Sequence, residues 1–230
     1  MSYVIPAIPR PSIPVHKCSE RFAVRRIYCV GRNYAAHARE MGHNPDREKP
    51  FFFSKPGDAV LPDGEGMDYP VFTSNLHHEI ELVLALGEKG SNVAVESALD
   101  LIYGYAVGID LTRRDLQAEA KKKGRPWDIA KGFDNSAPIS ELHPVSEIGH
   151  PAKGRIWLSV NGQMKQEGDL QDLIWSIPEI VAELSRYYTL CPGDLIFTGT
   201  PAGVGAVVAG DVMEGGIDGV GSITTQISAL

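Results

Sequence analysis

The chain has 230 residues, of which 43% are hydrophobic and 22% charged. That balance excludes a disordered tail or an acidic linker, and the length suffices to bury a real core. With 22 basic residues against 29 acidic ones the net charge is −7, which excludes a general pull toward nucleic acid or an anionic membrane surface.

The opening carries four prolines in its first fourteen residues. It has no continuous apolar stretch, so it reads as a Pro-rich arm (residues 1–24) rather than a signal peptide. No later run approaches the roughly 18 apolar residues of a membrane span. Cys18, Cys29 and Cys191 are odd in number and far apart. They read as reduced thiols of a cytoplasmic protein rather than a disulfide frame or a zinc site.

RRIYCVG (25–31) predicts a short strand, and RNYAAHAREMG (32–42) a helix stopped by Gly42. FFFSKP (51–56) is an apolar run closed by proline, another strand. In LHHEIELVLALG (76–87) His78, Ile80, Leu82, Leu84 and Leu86 share one parity, and Glu79, Glu81, Val83 and Ala85 the other. Period two argues for a strand. LIYGYAVGID (101–110) predicts a buried strand ending at Asp110. Thr112 and Asp115 resemble a capping box for a helix that ends in three lysines and Gly124. RIWLSVNG (155–162) alternates and closes on Asn161-Gly162, a hairpin signal. Ser176 and Glu179 cap a helix with Pro178 in its first turn. PGDLIFTG predicts a strand, and the Gly- and Val-rich tail two or three more. Strands outnumber helices without alternating with them, so the fold class is α+β and strand-rich, not doubly wound.

Several residues carry potential chemistry. Glu79 and Glu81 point to one face of a strand. Either a divalent cation relieves their repulsion, with Asp110 as a third ligand, or they are a charged, solvent-facing edge. An all-oxygen set suits Mg²⁺ or Mn²⁺ better than zinc. His77 and His78 fit packing or supporting roles. His37 and Glu40 share a helix face at i, i+3, either as a water-activating pair or as a surface ion pair. Lys131 lies in an uncharged stretch, as a buried cation or a solvated loop lysine. Arg114 and Gln117 share a helix face close after Asp110. FTGTPAGVG (197–205) is a tight glycine-rich turn that offers amides and Thr200 to a carboxylate. It is neither a dinucleotide nor a phosphate loop.

The order of these blocks is specific. GRNYAAHAREMG, PFFFSKPGDAV, NLHHEIELVLALG, GYAVGIDLTRRDLQ, GRPWDIAKGFDNSAP and GDLIFTGTPAGVG together resemble the fumarylacetoacetate hydrolase family, in its branch that cleaves fumarylpyruvate and acylpyruvates. The resemblance spans roughly residues 25 to 228. It implies a mixed β-sandwich roll forming a single catalytic domain (25–230), a homodimer, and a Mg²⁺ or Mn²⁺ cofactor held by Glu79, Glu81 and Asp110. It implies that His37 and Glu40 activate water from a mobile lid helix; Gly31 and Gly42 flank that helix and are its expected hinges. The resemblance places Gln117, Lys131 and Thr200 around a 2,4-diketo acid, where Lys131 is expected to face an oxyanion and Arg32, Arg114 and Gly199 are further candidates for binding the substrate. The expected reaction is cleavage of the C3–C4 bond, fumarylpyruvate giving fumarate and pyruvate. Oxaloacetate decarboxylation or tautomerisation and a non-catalytic binding role are the alternatives. Arg32, Arg39, Arg113 and Arg114 are candidates to meet a distal carboxylate.

Overall fold

The computed structural model describes residues 3–40 and 48–229. Its central sheet runs in the order Phe51–Lys55, Arg26–Gly31, Asp194–Phe197, Ile80–Leu86, Ile102–Ile109, Ala137–Ile139 and Val60–Pro62. Asp194–Phe197 lies parallel to Arg26–Gly31, and Ala137–Ile139 parallel to Val60–Pro62. The remaining neighbours are antiparallel. A second sheet, in the order Gln163–Asp169, Arg155–Val160, Val212–Ile217, Gly221–Ser228 and Met67–Asp68, faces it. This is the mixed, strand-rich α+β roll that the sequence predicts.

Two cores exist because the central strands are buried on both faces. Ile80, Leu82, Leu84 and Leu86 join Ile156, Leu158, Met213 and Ile223 of the second sheet in the larger core. Val83 and Ala85 face a smaller one with Cys29, Ala106, Ala137 and Phe197. Each fully buried aliphatic side chain contributes about 1.5–3 kcal/mol, and a one-residue slip of Ile80–Leu86 would exchange every partner. The arm forms a hairpin, Ser12–Pro14 with Arg21–Ala23. Ile13 is fully buried in the smaller core.

Local signals act where their partners are local. Ser176 and Glu179 form the capping box of helix Ile177–Tyr187. Asn161 and Gly162 both take positive φ, 51° and 74°, as a primed hairpin turn requires. Gly124 ends helix Arg114–Lys123 in the left-handed conformation. Three readings are corrected. Thr112 and Asp115 form no capping box: the Thr112 hydroxyl donates to the Asp110 carbonyl, and Asp115 accepts from Thr73 and Ser74. The first helix begins at Ala35, not Arg32; its expected stop and hinge, Gly42, lies outside the described residues. The run 76–87 is two strands, Leu76–His78 and Ile80–Leu86, which belong to different sheets.

That break positions the site. Leu76–His78 pairs with Thr112–Arg113 in a small three-stranded sheet. Ile80–Leu86 pairs with Ile102–Ile109 in the central one. Glu79 and Asp110 therefore occupy the two crossings between sheets, tied by an Asp110 N–H to Glu79 carbonyl bond of 2.8 Å.

Candidate active site and metal centre

Glu79, Glu81 and Asp110 are all buried, at 5%, 2% and 0% exposure, so the solvent-facing alternative is excluded. One oxygen from each lies within 4.8 Å of the others. Three buried carboxylates are tolerable only with compensating charge or protons. Lys131, on the short helix Asp128–Lys131, supplies part of it. Its Nζ donates to Glu79 Oε2 at 2.8 Å and to Asp110 Oδ2 at 2.6 Å. Arg114 bonds the other Glu79 oxygen and also holds Gln117 Oε1 at 2.7 Å. Among the described residues Glu81 has only the Gly199 N–H, donating to Oε2 at 2.6 Å.

The proton affinities diverge accordingly. Burial pushes the Glu79 carboxyl up, but Lys131, Arg114 and His37 outweigh it and hold it well below the usual range. Burial and the Asp110 and Glu79 charges push Glu81 well up, offset only in part by Gly199. Burial alone would discharge Lys131, yet Asp110 and Glu79 raise it, so it stays an ammonium. Lys55 Nζ pairs with Asp110 Oδ1 at 2.9 Å and donates to the Leu111 and Lys131 carbonyls. Among the described residues Asp110 Oδ1, buried, has this ion pair but no hydrogen bond of good geometry. An oxygen short of a hydrogen bond, a carboxyl that favours a proton and an all-oxygen set together fit a hard divalent cation with coordination positions left for substrate.

His37 is buried on helix Ala35–Glu40. Its Nδ1 lies 3.3 Å from Glu40 Oε2. An ionised carboxylate only accepts, so this contact sets the Nδ1–H tautomer and leaves Nε2 with a lone pair. Burial lowers the His37 pKa more than Glu79 and Glu40 restore it, so the imidazole is neutral at pH 7. Both Glu40 oxygens accept the Gly203 N–H at 3.1 Å. The helix is thus fastened to the glycine-rich turn.

One cleft collects these groups. It is lined by Glu79, Glu81, Asp110, His37, Lys131, Arg32, Arg114, Gln117 and Thr200. Glu40 stands behind His37. Gly199 stands behind Glu81, its amide spent on that carboxylate. At Gly199 φ is 103° and a Cβ would meet Asn33 Cβ at 2.8 Å, so only glycine fits. Thr200 Oγ1 accepts from Gln166 Nε2 at 2.7 Å. Of the four arginines named for the distal end, Arg32 and Arg114 reach the cleft. Arg39 is exposed, and Arg113 stacks 4.4 Å from the Phe133 ring centroid.

Some supporting residues escape sequence reasoning. Buried Asn33 donates to the Trp175 and Thr198 carbonyls and accepts the Trp175 N–H, joining the helix entry to the glycine-rich strand end. Gln166 accepts from the Ile80 N–H and contacts His78 Nδ1 at 2.8 Å. His77 accepts from Arg114 Nε at 3.4 Å; burial and Arg114 lower its pKa to about 4. Both histidines thus hold neighbours in place. Lys121 and Trp127 also line the cleft. For Lys121 a signal was present: Arg114, Gln117 and Lys121 fall at i, i+3 and i+7, one helix face.

Residues 26–228 match the family model described as Fumarylacetoacetate (FAA) hydrolase C-terminal. The chain is 46% identical over 203 residues to the mitochondrial oxaloacetate tautomerase of Rattus norvegicus, covering 88% of this chain and 91% of that protein. It is 48% identical over 189 residues to the fumarylpyruvate hydrolase of a Ralstonia species, covering 81% and 98%. The crystal structure of Pseudomonas aeruginosa fumarylpyruvate hydrolase in complex with Mn²⁺ and pyruvate superposes with a TM-score of 0.98, at 50% identity and full coverage of both chains. The chain belongs to the fumarylacetoacetate hydrolase family.

Proposed function

We propose that this protein is a metal-dependent hydrolase that cleaves the C3–C4 bond of 2,4-diketo acids, converting fumarylpyruvate to fumarate and pyruvate. The observation that carries the reading is the meeting, in one cleft, of three buried carboxylates and a neutral histidine backed by a carboxylate. Likeness to the Ralstonia and Pseudomonas enzymes supports the substrate.

Glu79, Glu81 and Asp110 would hold Mn²⁺ or Mg²⁺. When bound, the cation supplies Lewis acidity for the charge that develops on the keto acid. His37 Nε2 takes a proton from water, and Glu40 holds the ring in the accepting tautomer and stabilises the imidazolium. The resulting hydroxide adds to C4. The Lys131 ammonium, with Gln117, faces the oxyanion formed there. As the C3–C4 bond breaks, its electron pair passes to C3. Protonation at C3 gives pyruvate, and C4 leaves as the carboxyl carbon of fumarate. Thr200, held by Gln166, would receive the substrate's own carboxylate. We take residues 25–230 as the catalytic unit, with the arm packed on it, in a cytoplasmic homodimer serving aromatic catabolism.

A second reading, tautomerisation or decarboxylation of oxaloacetate, is supported by the likeness to the rat enzyme. It uses the same charge sink without an attacking water. Parallel assays of fumarylpyruvate, acetylpyruvate and oxaloacetate separate the two. Under the hydrolase reading, His37→Ala lowers fumarylpyruvate cleavage by about 10²–10⁴-fold and retains Mn²⁺ stoichiometry by calorimetry, while Glu79→Ala loses the ion. Wild-type cleavage by His37→Ala would remove the histidine from the reaction.

A further inference from the structure

The cations around the cleft divide into two groups. Lys55, Lys131 and Arg114 each lie within ion-pair reach of Glu79 or Asp110. Arg32 and Lys121 line the same cleft, yet among the described residues neither has a carboxylate partner. Their contacts are aromatic. Trp127 meets Phe51 edge-on at 5.3 Å and Phe53 at 5.8 Å between centroids, forming one wall. Lys131 Nζ stands 4.9 Å from the Phe53 centroid, beside the carboxylates. Lys121 Nζ stands 5.1 Å from Trp127, and Arg32 Cζ 5.4 Å from Phe51.

Position along the helix separates the two ends. Arg114 is bonded to Glu79, and Lys121 lies seven residues further on the same face, about 10 Å along the axis. That is comparable to an extended seven-carbon diacid. Burial, and after it the nearby Arg114 and Arg32, lower the Lys121 pKa to about 8. Arg32 itself sits in the left-handed region at φ 58°, a conformation that non-glycine residues rarely adopt. Surplus positive charge over a flat aromatic wall, opposite a carboxylate-rich end, is a receptor for a planar anion.

We propose that Lys121, with Arg32 beside it, is the specificity-determining cation for a second carboxylate at the far end of the substrate. The cleft then selects flat, conjugated dicarboxylates over acylpyruvates with neutral tails. This rests on reading the cleft as that of a 2,4-diketo acid hydrolase.

The test uses the Mn²⁺-loaded protein and two variants. Lys121→Met keeps the aliphatic stem over Trp127 without the charge; Lys121→Arg restores the charge. The ratio of kcat/KM for fumarylpyruvate over acetylpyruvate is expected to fall about 10- to 100-fold in Lys121→Met, chiefly through the KM for fumarylpyruvate. In Lys121→Arg it stays within about threefold. Calorimetric titration of fumarate into protein loaded with Mn²⁺ and pyruvate reads the same subsite without turnover, and Lys121→Met should weaken it about tenfold or more. Unchanged selectivity together with unchanged fumarate affinity overturns the proposal. Should the wild type cleave neither diketo acid, the hydrolase reading fails and the fumarate titration alone decides: weaker binding by Lys121→Met upholds the distal site, and equal binding overturns it.

Discussion

Lys131→Met tests the charge balance of the site directly. In the wild type one ammonium spans Glu79 Oε2 at 2.8 Å and Asp110 Oδ2 at 2.6 Å, with all three groups buried. Methionine keeps most of the volume and removes the charge. Deleting one partner of a buried ion pair costs about 3–5 kcal/mol. For a chain of this size each kcal/mol moves the melting temperature by about 2–4 °C, so the metal-free variant should melt about 6–20 °C below the wild type. Saturating Mn²⁺ should close much of that gap, because the ion supplies the positive charge the variant lacks. A narrowing of about 1.4 kcal/mol corresponds to tenfold tighter binding of the ion by the variant. The assay is a thermal melt of both proteins with chelator and with Mn²⁺, paired with calorimetry of Mn²⁺ binding. A metal-free variant as stable as the wild type would refute the reasoning. So would a gap that Mn²⁺ leaves unaltered.

Two further outcomes follow from the same geometry. Under the hydrolase reading His37 must be unprotonated to accept a proton, so activity should be lost as pH falls through its pKa, which lies below the ordinary value. Glu40 raises that pKa, so Glu40→Gln should move the acid limb of kcat/KM to lower pH while lowering the plateau about 10²-fold; an unmoved limb would count against the pairing. Gly199→Ala places a Cβ 2.8 Å from Asn33 Cβ at a φ of 103°. It should cost about 1–3 kcal/mol and weaken Mn²⁺ binding by withdrawing the amide from Glu81; a melt and titration matching the wild type would contradict the packing argument.

What could be read from residue order depended on how far away each partner lay. The Ser176–Glu179 cap and the Asn161-Gly162 turn are closed by neighbours, and the sequence contains both halves. Asp115 had the right spacing for a cap but was claimed by Thr73 and Ser74, some forty residues earlier. The alternation of 76–87 showed which residues share a face, placing Glu79 with Glu81. It could not show that both faces are buried, because the second core is assembled from Cys29, Ala106, Ala137 and Phe197 on other strands. Nor did it reveal the break at Glu79, which reflects pairing with two different sheets. Lys131 was left between a buried and a solvated reading for the same reason: its partners are 52 and 21 residues away. Lys121 was hidden in a run of three lysines that the helix dipole already explained.

The two crossings between sheets make the molecule a stiff anvil with a separate hammer. Glu79 and Asp110 are set by strand register and by a backbone bond between them, so their spacing is inherited from the framework. The histidine rides on a short piece fastened at its far end by Glu40 to one amide of the glycine-rich turn. Under the hydrolase reading, changes to that piece would redirect which proton is moved, and hence which bond yields, while the carboxylates that would seat the ion stay as they were.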